Sequence, residues 1–115
     1  MTNITDKKEL ITQYKQRKVV GGIYAIKNNQ NGKMLIDGTT DIKGMQNRFS
    51  FSQKTGSCVN TKIHNDWSSY GCSSFSFEIL DELAKKEEQT ISEFREEIDL
   101  LKEIWLDKHP NENLY

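Results

Sequence analysis

Two short strand-like segments lie almost back to back near the start of the chain, and they restrict its fold more than anything else in it. Residues 23–27 read as a strand and residues 33–37 as a second short one. Only Asn28-Asn29-Gln30-Asn31-Gly32 separates them, a cluster of turn formers ending in a glycine able to take positive φ. Two strands joined by so short a polar turn make an antiparallel hairpin. A lone hairpin is marginal in water, so the rest of the chain must cover it. With 115 residues there is material for one domain and one modest core.

The remaining elements follow from spacing. Residues 5–18 read as a helix started by Thr5 or Asp6, with Leu10, Ile11 and Tyr14 as a short stripe. Gly21-Gly22 breaks that pattern. After the hairpin, Thr39-Thr40-Asp41 opens a helix whose face carries Ile42, Met45 and Phe49. Residues 50–57 are polar and read as a loop. Residues 60–70 form a further helix, capped by Asn60, closed by Gly71 and striped by Ile63, Trp67 and Tyr70. Residues 75–80 alternate as a third strand, and 85–89 make a charged connector. Thr90 and Glu93 are spaced as a capping box, opening a long helix striped by Ile91, Phe94, Ile98, Leu101 and Trp105, with Pro110 just past its end. The predicted class is α/β of the α+β kind: a small three-stranded, mostly antiparallel sheet flanked by helices, with an extra N-terminal helix. The expected division is a helical extension over 1–20, a domain over 21–110 and a tail over 111–115. The extension suits either a helix packed on the domain or a dimerisation arm.

Charge is distributed unevenly. Residues 1–65 hold eleven Lys/Arg and four Asp/Glu, a net of +7; residues 66–115 hold five and thirteen, a net of −8. Such a split suits either one basic face for phosphates or two separately solvated surfaces. No apolar run approaches the roughly 20 residues of a membrane helix. The N-terminus lacks the apolar stretch of a signal peptide, so a cytoplasmic protein with no membrane partner is expected. Cys58 and Cys72 fit no metal spacing and read as reduced thiols. His64 and His109 read as a surface side chain and a helix-terminal one. Trp67, Trp105, Phe75 and Phe77 read as core.

One motif goes further than patterning. Gly22-Ile23-Tyr24, the hairpin turn, Leu35-Ile36-Asp37-Gly38-Thr39, the Tyr70-Gly71 step before the strand at Phe75, and the late helix with Trp105 occur in that order. This series resembles the GIY-YIG nuclease family over roughly residues 21–106. The resemblance implies a GIY-YIG nuclease-like fold and phosphodiester hydrolysis assisted by a divalent metal, Mg²⁺ or Mn²⁺. In that chemistry a tyrosine near the metal helps deprotonate water, an arginine steadies charge on the phosphate, and a late-helix glutamate holds the ion.

Carried over position by position, these roles meet mixed residues. Tyr24 matches the first tyrosine, which is also the kind of aromatic that simply fills a strand. The second tyrosine falls on Leu35, and the glycine of its triplet on Asp37, one place before Gly38. The arginine falls on Met45, with Arg48 three residues on, and the following histidine or tyrosine falls on Phe49. The metal-binding glutamate, three residues before Trp105, falls on Lys102; Asp99 and Glu103 are the carboxylates near enough to replace it. Asp99 and Lys102, one turn apart, are expected to pair. The resemblance thus marks Tyr24 and Arg48 as catalytic candidates and Lys27, Lys33, Lys43, Arg48, Asn60 and Lys62 as candidate contacts to nucleic acid, DNA rather than RNA. Three functions follow as expectations: a nucleic-acid-binding protein with a degraded, weak or inactive nuclease site; an active endonuclease with rearranged ligands; or a protein-interaction module on the same scaffold.

Overall fold

The computed structural model describes residues 19–109 and 113–115. The expected helix over 5–18 and the proline stop at Pro110 lie outside the described residues. Within them run β1 (Val20–Asn28), β2 (Met34–Thr39), α1 (Ile42–Thr55), a single 3-10 turn (Thr61–Ile63), α2 (His64–Tyr70), a second such turn (Cys72–Ser74), β3 (Phe75–Ala84) and α3 (Ile91–Asp107).

The hairpin forms as its sequence demands. Asn28 N–H donates to the Lys33 carbonyl at 2.8 Å, and Gly32 takes a φ of 77° at the corner. β3 then adds to the other side of β1, giving the antiparallel order β2-β1-β3. Alternation along β1 divides the core in two. Tyr24 and Ile26 point to a front layer with Leu35, Ile42, Phe49, Ile63, Trp67 and Phe75. Ile23 and Ala25 point to a back layer with Ile36, Phe94 and Ile98 of α3. The sheet is therefore covered by α1 and α2 in front and by α3 behind.

Several expected boundaries move, each for a physical reason. Gly21 and Gly22 do not break the chain but lie inside β1, where a Cβ on Gly22 would run into the Asp81 carbonyl and one on Gly21 into that of Thr39. Residues 50–55 are not loop. They continue α1, because the small Ser52 supplies the buried position while the polar residues face water, and Gly56 at φ 80° ends the helix. β3 runs four residues past Leu80. Its register against β1 slips between Ile23 and Tyr24, where Leu80 is the extra residue of a bulge. Tyr70 and Ile91, placed on apolar stripes, are largely exposed, at 45% and 49%.

The charge split follows the layers. α1 carries Lys43, Arg48 and Lys54 and no carboxylate, whereas α3 carries Glu93, Glu96, Glu97, Asp99, Glu103 and Asp107 against Arg95 and Lys102. The basic α1 and the acidic α3 thus lie on opposite faces of one sheet. Among the described residues no helix is long and apolar enough to cross a membrane.

Candidate functional site

β1, the central strand, delivers Tyr24 to the front face of the sheet. Its ring is 4% exposed and stacks on Phe77 with centroids 5.2 Å apart. Directly opposite on β2 is Asp37, whose side chain shares that face. Burial pushes the Tyr24 phenol from its ordinary 10.0 up to about 12; the Asp37 carboxylate adds to the rise and the Arg48 guanidinium on α1 opposes it. Tyr24, Asp37 and Arg48 therefore sense one another across three elements. At neutral pH the phenol therefore keeps its proton.

The fourth member comes from behind. β2 is an edge strand, and Lys102 of α3 reaches its Asp37, placing Nζ 3.1 Å from Oδ1. The same oxygen accepts from Gly38 N–H at 2.8 Å. α3 comes this close because residue 38 is glycine: a Cβ there would collide with Ile98. Both members of the ion pair keep about a third of their side-chain surface in water, 30% and 33%, so the bond is of the modest surface kind, worth up to about 1 kcal/mol. The expected Asp99–Lys102 pair is replaced by this contact across the fold. Asp99 instead lines a cavity of about 220 Å³ with Thr39, Thr40 and Arg95.

The other expected site residues are dispersed. Met45 packs against the front core and Phe49 is 3% exposed within it, so the positions that the resemblance assigns to arginine and histidine are packing positions. Lys27, Lys43, Arg48 and Lys62 are exposed, as is Lys33, whose ammonium lies 5.8 Å from the Tyr115 ring. The Asn60 side chain is occupied in capping, accepting from Lys62 N–H at 2.8 Å. Sequence reasoning missed Asp37 and Lys102 as partners. The signal was present in two places where the motif is broken by charged residues of opposite sign.

A divalent metal does not fit beside Tyr24 while Lys102 holds Asp37. The carboxylate that faces Tyr24 is held by an ammonium, which repels a cation. Asp99 and Glu103, the carboxylates near enough to replace the missing ligand, are exposed on α3, and neither stands opposite Tyr24 as Asp37 does.

A three-stranded antiparallel sheet between helical layers, with a front-face tyrosine on the central strand, is the GIY-YIG nuclease fold. It is shared with the solved catalytic domain of the intron endonuclease I-TevI, in a glutamate-to-alanine mutant form, at a TM-score of 0.59 and 22% identity over 86% of this chain and 92% of that one. No family profile and no curated protein matches the chain.

The Tyr24 pKa makes a testable statement about pH. The raised value means the folded state holds its phenolic proton more tightly than the unfolded chain. The stabilisation this gives is complete below pH 10.0 and is lost as pH rises through about 12. An alkaline absorbance titration of the wild type minus that of Tyr24→Phe is expected to show one phenol with a midpoint near 12. A difference midpoint at 10.0 would place Tyr24 in open solvent.

Proposed function

We propose that this chain binds nucleic acid through its basic front face and has lost efficient phosphodiester cleavage. The carrying observation is the Asp37–Lys102 ion pair beside Tyr24 and Arg48. It puts an ammonium where cleavage chemistry would want a bound cation, yet leaves two positive groups able to hold a phosphate. Lys43 and Lys54 on the carboxylate-free α1 extend the positive surface. DNA is the preferred ligand over RNA, and the setting is the cytoplasm, in keeping with the free thiols of Cys58 and Cys72.

The test is binding to duplex, branched and single-stranded DNA across a salt series. Binding is expected at low salt, with Arg48→Ala reducing the slope of log affinity against log salt by about 1. No binding to any of these forms would sink the proposal. In parallel, supercoiled plasmid with Mg²⁺ or Mn²⁺ is expected to stay intact. Nicking that disappears in Tyr24→Phe would instead establish an active endonuclease. A protein-interaction role has one specific support, the exposed pair Leu100 and Ile104 on the outer face of α3, at 62% and 53%. A partner recovered after nuclease treatment and lost in Leu100→Asp would favour it.

A further inference from the structure

Next to Arg48 the front face holds a cavity of about 330 Å³ that the site above does not use. It opens between α1 and the segment leading into the first 3-10 turn, and is lined by Asn47, Arg48, Phe51, Ser52, Cys58 and Val59. Its volume lies at the small end of the range for ligand pockets. Phe51 is 66% exposed, the largest fraction among the big apolar side chains of the described residues. An aromatic ring left in water on a helix rich in polar and basic residues is not explained by the core, which takes Phe49 from the same helix.

We propose that this cavity accepts an unstacked nucleobase, and that the nucleic acid bound by this protein is therefore single-stranded where it crosses α1. The proposal rests on the nucleic-acid reading above and specifies its ligand. The chemistry of the wall fits the occupant on each side. The Phe51 ring offers a stacking surface for a flat base of any identity. The Asn47 amide carries both donors and an acceptor, the complement of a base edge. Cys58 and Val59 supply an apolar wall; both also pack against the front core, and the thiol of Cys58 is engaged with the Asn60 carbonyl at 3.0 Å. Arg48 borders the cavity while its charge also reaches Tyr24, so one guanidinium can hold the phosphate that joins a base in the cavity to the backbone passing Asp37 and Lys102. A paired duplex cannot fill such a place without extruding a base, since its bases are stacked and only their edges are offered.

The experiment compares wild type, Phe51→Ala and Phe51→Trp at low salt. The ligands are a single-stranded oligonucleotide carrying a fluorescent purine analogue and a blunt duplex of the same sequence. Phe51 is exposed, so both variants are expected to fold, and circular dichroism verifies it. Wild type is expected to bind the single strand more tightly than the duplex and to quench the analogue. Phe51→Ala should lose about 5-fold or more in single-strand affinity together with the quench, and keep its duplex affinity; Phe51→Trp should retain both. Unchanged single-strand affinity in Phe51→Ala, with duplex binding intact, would overturn the cavity assignment and leave the nucleic-acid reading standing. Absence of binding to either ligand would overturn both.

Discussion

Phe94→Ala is expected to lower the free energy of unfolding by about 3–5 kcal/mol, a large share of the roughly 5–15 kcal/mol typical of a domain. Phe94 is fully buried, joins Ile98 in the back core, and lies against Gly21, where an added Cβ would sit 3.0 Å from its Cζ. The space around it is closed by backbone on the Gly21 side, so the neighbours cannot collapse far into the hole left by the ring. The effect should extend to the site, because Phe94 and Ile98 hold α3 against the sheet and Lys102 sits one turn beyond Ile98. Urea denaturation, with the slope unchanged, measures the loss. A loss below about 1 kcal/mol would mean that α3 is held by something other than this core.

The second large effect is expected from Lys102→Glu. In the wild type the ammonium neutralises Asp37 and adds a positive group beside Tyr24. Reversal removes one phosphate contact and sets two carboxylates side by side, against each other and against any phosphate. Two unit charges about 4 Å apart near a protein surface interact by up to about 4 kcal/mol, and exposure of the pair reduces that considerably. A fall of roughly 10-fold in DNA affinity at low salt, about 1.4 kcal/mol, is the expected result. The response to Mg²⁺ should also change sign. In the wild type the ion only screens and weakens binding. In the variant it should raise the melting temperature, because two adjacent carboxylates offer a cation oxygen ligands. An affinity equal to wild type, or a melting temperature indifferent to Mg²⁺, would show that Lys102 does not define the electrostatics of this site.

The sequence made the hairpin, the capping box at Thr90 and the long helix visible, since each depends on residues within a few positions of one another. Both side chains of the box are engaged as expected, Thr90 Oγ1 accepting from Glu93 N–H at 3.1 Å and Glu93 Oε1 from Thr90 N–H at 3.0 Å. Fidelity declined where the deciding partner is distant in the chain. Gly21 and Gly22 look like punctuation until the end of β2 comes against the first and β3 against the second, leaving no room for a Cβ. The end of α1 was hidden because serine at position 52 reads as polar although it is buried, and the true stop was Gly56. The bulge at Leu80, which turns Asp81 toward α3 so that its Oδ2 accepts from Trp105 Nε1 at 3.2 Å, leaves no local trace in an alternating strand. The same limit explains the site. A motif marks Tyr24, but helical spacing pairs Lys102 with Asp99 one turn away, whereas its partner is Asp37 on a strand. Local spacing proposes a partner, and only the assembled layers decide between candidates of equal charge.

The opposed charges of α1 and α3 have a bearing on how the molecule meets a polyanion. A domain that is near neutral overall but positive on one side and negative on the other behaves as an electric dipole. In the field around DNA such a dipole would be turned before contact, with the acidic helix outward and the Tyr24 face inward. Encounters would then be pre-oriented although the net charge is only −1. If the proposed binding holds, the bound protein would also present an acidic outer surface that repels a second strand, and each copy would engage nucleic acid from one side.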